Sequence, residues 1–132
     1  MNYTEAFKNT DYIVNINDKV ITINIGKIQT ELDNLIKPVE QWAFITAYNP
    51  LPKILSDNEN KSRNNQLKQD AENLGFQVYT GYGIAKDKSW REDSFLIVGI
   101  DKKAAIQLGA KYGQLAIVTG SINNKSELIE LK

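Results

Sequence analysis

The sequence predicts an α+β domain with an α/β-like plan: one mixed sheet of five or six strands, about three helices and two βαβ units, spanning residues 1–132. Three observations predict it. Residues 20–25 alternate Ile21, Ile23 and Ile25 against Thr22 and Asn24, the period-2 pattern of a half-buried strand. Residues 42–47, 94–99 and 115–119 are near-continuous apolar runs of strand length, as central strands covered on both faces require. A shift of 73 residues sets Ile25-Gly26 on Val98-Gly99 and residues 43–46 on 116–119 without a gap, with Leu35 on Leu108 and Gln41 on Gln114. Each segment reads strand, glycine, short helix, strand, so a right-handed crossover between parallel strands is expected in each. The identities fit either a duplication or convergence on the residues that βαβ units reuse.

The elements follow in order. Residues 12–16 and 20–25 form two strands around Asn17-Asp18, good hairpin-turn chemistry, and Gly26 ends the second. Ile28, Leu32, Leu35 and Ile36 fall at helical spacing until Pro38. After the strand at 42–47 comes a loop with two prolines, residues 49–52. A helix over 57–74 follows, with Ser56 or Asp57 as cap, Glu59 in its opening turn and Gly75 at its end. A strand at 76–80, a polar Gly-rich stretch at 81–89, a strand at 94–99, a helix at 102–111 and a strand at 115–119 complete the core. The tail from Asn123 is a short edge strand or a loop.

Composition excludes whole classes of chemistry. There is no cysteine, which removes disulfides, thiolate nucleophiles and zinc-thiolate or iron–sulfur sites. There is no histidine, which removes the commonest general base, the usual catalytic triads and most transition-metal and haem sites. A net charge of zero, from 16 basic and 16 acidic residues, argues against a nucleic-acid surface. No apolar run approaches the roughly 18 residues of a membrane span, and the first ten residues carry charge where a signal peptide is apolar. A soluble cytoplasmic protein is expected. The oligomeric state stays open, a homodimer included.

Three places could carry chemistry. In the 57–74 helix, Leu67, Ala71 and Leu74 form one stripe, and Asn60, Arg63 and Asn64 extend it toward the N-terminus. Either the stripe runs past the sheet edge into water, or Arg63 is buried and meets an acidic side chain or an anionic ligand. In residues 90–94, strand alternation turns Trp90, Glu92 and Ser94 toward the face of Leu96 and Val98. Glu92 is then a surface residue, the ion partner of Arg63, or an acid–base group with a shifted pKa. Thr46, Tyr48 and Asn49 lie where a central strand runs into a loop before a helix, the usual ligand position in sheets with parallel strands, although Asn49-Pro50 also suits a simple turn. Gly81-Tyr-Gly83 lacks the rest of a dinucleotide fingerprint. The acidic residues are too scattered for a calcium loop, though Asp87, Glu92 and Asp93 could hold magnesium.

These residues resemble a known family. Residues 43–50 (Ala-Phe-Ile-Thr-Ala-Tyr-Asn-Pro), Glu59-Asn60 with Arg63 and Leu67, Trp90-x-Glu92-x-Ser94, and Tyr112-Gly-Gln114-x-Ala116 resemble the bacterial DUF3293 domain of unknown function, over about residues 10–120. The resemblance implies that the polar motif residues belong together. Lys61, after Asn60, departs from the small residue or Arg associated with the family.

The preferred expectation is a small-molecule pocket for an anionic or nucleotide-like metabolite. Arg63 takes the anion, Asn49 and Asn60 supply hydrogen bonds, Trp90 or Tyr48 gives a stacking face, and Thr46 and Ser94 line the pocket. One alternative is a hydrolase with Glu92 as general base, with or without magnesium, and Arg63 stabilising developing charge. The other is an interaction protein of toxin, immunity or anti-defence type, in which Asn49, Asn60, Arg63 and Glu92 merely hold one another. Gln41 and Gln114 read as structural brackets.

Overall fold

The computed structural model describes residues 3–50 and 53–131; Leu51 and Pro52, in the expected two-proline loop, lie outside them. The described elements are α1 (Tyr3–Lys8), β1 (Thr10–Ile16), β2 (Lys19–Ile23), α2 (Thr30–Ile36), β3 (Gln41–Ile45), α3 (Asp57–Asn73), β4 (Gln77–Ala85), β5 (Arg91–Val98), α4 (Lys102–Lys111), β6 (Ala116–Ser121) and β7 (Glu127–Glu130). The strands form one sheet in the order β2-β1-β4-β5-β3-β6-β7, and every pairing is antiparallel.

This corrects the expected mixed sheet of five or six strands with about three helices: there are seven strands and four helices among the described residues. The reason is topological. β5 and β6 do run in the same direction around α4, but β3 is inserted between them; β3 and β4 do the same around α3, with β5 between. Each crossover is split by an antiparallel neighbour from elsewhere in the chain. The segment from β3 to β6 therefore has the ferredoxin-like, split-βαβ strand order. The other expected unit, β2-α2-β3, has three strands between its ends, and α2 packs on the opposite face from α4. The 73-residue repeat is thus not a structural repeat, although Gly26 and Gly99 both take positive φ, +84° and +99°.

The glycines also extend an element beyond the expected bounds. The polar stretch from Gly81 continues β4 as far as Ala85, because Gly81 lets the Ile13 carbonyl of β1 approach where a Cβ would stand. α1 and β7 complete the set: one is a six-residue helix ahead of β1, and the other settles the tail as an edge strand.

The sheet curls into a half-barrel whose two edges are tied together. Ser126, before β7, accepts from Gly26 N (2.9 Å), donates its amide to Lys27 O (2.9 Å) and its hydroxyl to Asn24 O (2.7 Å). The inner face holds Tyr12, Val14, Trp42, Phe44, Leu96 and Val98, plugged at one end by Leu32 and Ile36 of α2. The outer face packs Ala43, Ile45, Phe95 and Ile97 against Leu67 and Ala71 of α3 and Ala105 and Leu108 of α4. No helix among the described residues is long and apolar enough to cross a membrane.

On the inner face the Trp42 indole lies flat on Gly120, leaving no room for a methyl group. Gly120→Ala should therefore lower stability by about 1–3 kcal/mol through overpacking, read as a lower urea midpoint with an unchanged slope.

Candidate functional site

After Ile45 the chain leaves the sheet, and residues 46–49 run as a strap between the sheet and the start of α3. A strap with buried peptide groups and no ladder partner must find hydrogen bonds elsewhere. Side chains supply them. Asn64 accepts from Ala47 N (2.9 Å) and donates to the Asp93 carbonyl (2.9 Å). Asn60 accepts from Asn49 N (2.8 Å) and donates to Asn49 Oδ1 (2.9 Å), which also accepts from Leu55 N (2.9 Å). Arg63 Nε donates to the Ala47 carbonyl (2.7 Å) and Nη2 to the Tyr112 carbonyl. Gln114 Nε2 donates to the carbonyls of Tyr48 (3.0 Å) and Tyr112 (3.3 Å).

The sequence places these groups well. Ser56 and Glu59 form the reciprocal capping box that fixes where α3 begins. From that start, Asn60, Asn64, Leu67 and Ala71 fall on one buried stripe, polar where it meets the strap and apolar where it meets the sheet. Leu74, expected on the same stripe, is 61% exposed, because the helix ends as it passes the sheet. Among the described residues Arg63 does not meet the acidic side chain that was one of its expected partners. Its partners are two backbone carbonyls, one at the C-terminal end of α4, where the helix dipole favours a cation.

On the inner face, Thr46, Trp90, Glu92 and Ser94 line a cavity at the end of the half-barrel away from the α2 plug. Tyr12 and Phe44 form its floor, and Phe7 of α1 and Gln114 of β6's approach form its sides. The cavity is small, about 50 Å³, and open to solvent on one side. Strand alternation puts Glu92 on the face of Leu96 and Val98, as expected, and Asp93 on the other. Asp87 instead accepts from Ser89 N in the β4–β5 turn. The magnesium trio of Asp87, Glu92 and Asp93 therefore does not converge, and among the described residues no three acidic side chains do.

Burial pushes the Glu92 carboxyl up to about 7, and the neighbouring Asn49 side-chain amide draws it only partway back. Among the described residues no basic side chain lines the cavity. The hydroxyls around Glu92 have their protons committed: Tyr12 Oη donates to the Phe7 carbonyl (2.9 Å), Thr46 Oγ1 to the Asp93 carbonyl (2.7 Å) and Ser94 Oγ to the Glu92 carbonyl (3.0 Å). They offer the cavity lone pairs, and the donors left near Glu92 are the Asn49 amide and the Trp90 indole N–H.

The expected site residues thus divide. Thr46, Trp90, Glu92 and Ser94 share the cavity; Asn49, Asn60 and Arg63 hold the strap that forms its wall; Tyr48 lies in a groove on the outer face. Tyr12 and Phe44 read in sequence only as apolar strand positions, and nothing in their spacing marks them as cavity floor. Gln114 was legible as a bracket, and that is its role at Tyr48 and Tyr112.

Two predictions follow from these contacts. Arg63→Ala should lower stability by about 2–4 kcal/mol, since charge-assisted hydrogen bonds contribute roughly 1.5–3 kcal/mol each. Arg63→Lys should recover little, because an ammonium cannot reach both carbonyls with the same fork; chemical denaturation measures both. For Glu92, the folded-state pKa lies above the unfolded value of 4.5. The burial penalty is therefore absent below pH 4.5, grows between pH 4.5 and 7, and is constant above. Glu92→Gln should raise stability at pH 8 by up to about 3 kcal/mol and leave it nearly unchanged at pH 4.5.

A comparison with protein-family models matches residues 45–117 to "Protein of unknown function (DUF3293)". No curated protein and no solved structure matches the chain. The matched span runs from the end of β3 to β6 and contains the strap, all of α3, the Glu92 strand and the Gln114 bracket. It covers more than half of the chain, which therefore belongs to the DUF3293 family of proteins of unknown function.

Proposed function

We propose that this protein binds a small molecule through an amino or other nitrogen group rich in N–H donors, which enters the inner-face cavity and rests on Glu92. One observation carries the reading: the carboxyl stands in a cavity whose hydroxyls all donate to backbone carbonyls, so acceptors outnumber the two donors near it, the Asn49 amide and the Trp90 indole N–H. A half-buried carboxylate with one amide partner and no cation beside it is costly, and a bound ammonium or amidinium reduces that cost. The faces of Tyr12, Phe44 and Trp90 add attraction for a cation. A volume of about 50 Å³ accepts one such group, while the body of the ligand stays at the mouth, against Phe7 and the partly exposed Trp90.

An anion anchored on Arg63 is not favoured, because that guanidinium is engaged by the Ala47 and Tyr112 carbonyls. General-base action on water is the second reading, favoured by a Glu92 carboxyl that titrates near neutrality. It lacks a charged group to stabilise developing negative charge, since among the described residues no basic side chain lines the cavity. The strap network supports the structural half of the interaction-protein reading but gives no reason to bury Glu92.

The test is calorimetric titration with n-butylamine and with butyrate across pH 5 to 8. Amine affinity should rise about tenfold per pH unit below 7 and level off above it, as the carboxylate fraction does, and Glu92→Gln should abolish it. Preference for butyrate, or amine binding unchanged in the glutamine variant, would overturn the reading.

A further inference from the structure

We infer that the groove on the outer face, between α3 and the β4–β5 hairpin, is a second site, for a phosphorylated small molecule. It encloses about 460 Å³, within the range of small-molecule sites, and is separate from the Glu92 cavity except at Ser94, which borders both. Its cations come from two elements. Lys61 and Lys68 stand two turns apart on one face of α3. Arg91 of β5 lies across from them, with its guanidinium 3.7 Å from the centre of the Tyr82 ring.

The charge does not cancel within the groove. Among the described residues Asp93 is the one carboxylate lining it, and its contact with Arg91 is loose, 3.6 Å with both side chains more than half exposed. Among the described residues neither Lys61 nor Lys68 forms an ion pair. A dianionic phosphoryl group suits this set: two lysines as point charges, and an arginine fork that the tyrosine ring holds flat. The amides of Asn15 and Asn65 add polar contacts, and Tyr48 supplies an apolar face for the rest of the ligand. The anion thus has its counter-charges on this face of the sheet, away from Arg63.

The experiment is an amide NMR titration of the full chain with AMP, repeated with inorganic phosphate and with adenosine. AMP should shift the resonances of Lys61, Lys68, Tyr82 and Arg91, with millimolar or tighter affinity that falls as salt is raised. The Lys61→Gln, Lys68→Gln double variant changes an exposed and a half-buried side chain and breaks no ion pair among the described residues; it should melt as the parent does and bind AMP at least tenfold more weakly. Inorganic phosphate competing for the same resonances supports phosphoryl recognition. Adenosine binding as tightly as AMP, AMP affinity unchanged in the double variant, or no groove shifts at millimolar AMP would each overturn the assignment.

Discussion

The structure depends on how four residues of backbone are satisfied after they leave the sheet. Residues 46–49 pass between two packed layers, where an unpaired N–H or carbonyl costs as much as a lost hydrogen bond. Asn60, Asn64, Arg63 and Gln114 supply the partners, reaching from α3 on one side and from the approach to β6 on the other. Because Asn64 and Thr46 both bind the Asp93 carbonyl, the strap and the start of β5 are fixed to each other. That junction decides where Glu92 points. Polar side chains that look like a ligand site in the sequence thus serve first as the backbone's own ligands, and they position Glu92, whose carboxyl has the Asn49 amide beside it and no cation.

The energetic consequence is a contrast between two neighbouring charges. Arg63 is partly buried, and its guanidinium donates to two backbone carbonyls. Glu92 is half-buried beside hydroxyls whose protons are directed elsewhere, and desolvation favours its neutral form against the pull of the Asn49 amide. Natural sequences remove such groups readily when nothing requires them, since a neutral or apolar isostere is often more stable. Retaining one inside a cavity is a departure from local stability of the kind found at functional sites.

Much of this was legible in the sequence, and what was not has identifiable causes. The capping box at Ser56 and Glu59, the buried face of α3 and the side on which Glu92 lies all follow from local rules with fixed periods. Strand order does not, because a βαβ pattern fixes only the direction of two strands and leaves open which strand comes between them. The partners of Arg63 were missed for a related reason. Burial demands hydrogen bonds, but the sequence pattern cannot say whether a side chain or a bare carbonyl will accept them. Tyr12 and Phe44 alternate as core residues do, so that only the curl of the sheet turns them into the floor of a cavity.

The ties at Ser126 have a further consequence, for how the molecule meets copies of itself. A seven-stranded open sheet would present two rows of unpaired backbone groups, a template for strand addition and aggregation. Here the two edge strands are short, five and four residues, and the segment leaving β2 is bonded to the residue that enters β7. Where the two edges meet, each occupies the backbone groups that a foreign strand would need. The half-barrel is in this respect self-capping: the curvature that creates its interior also withdraws part of its rim from intermolecular pairing.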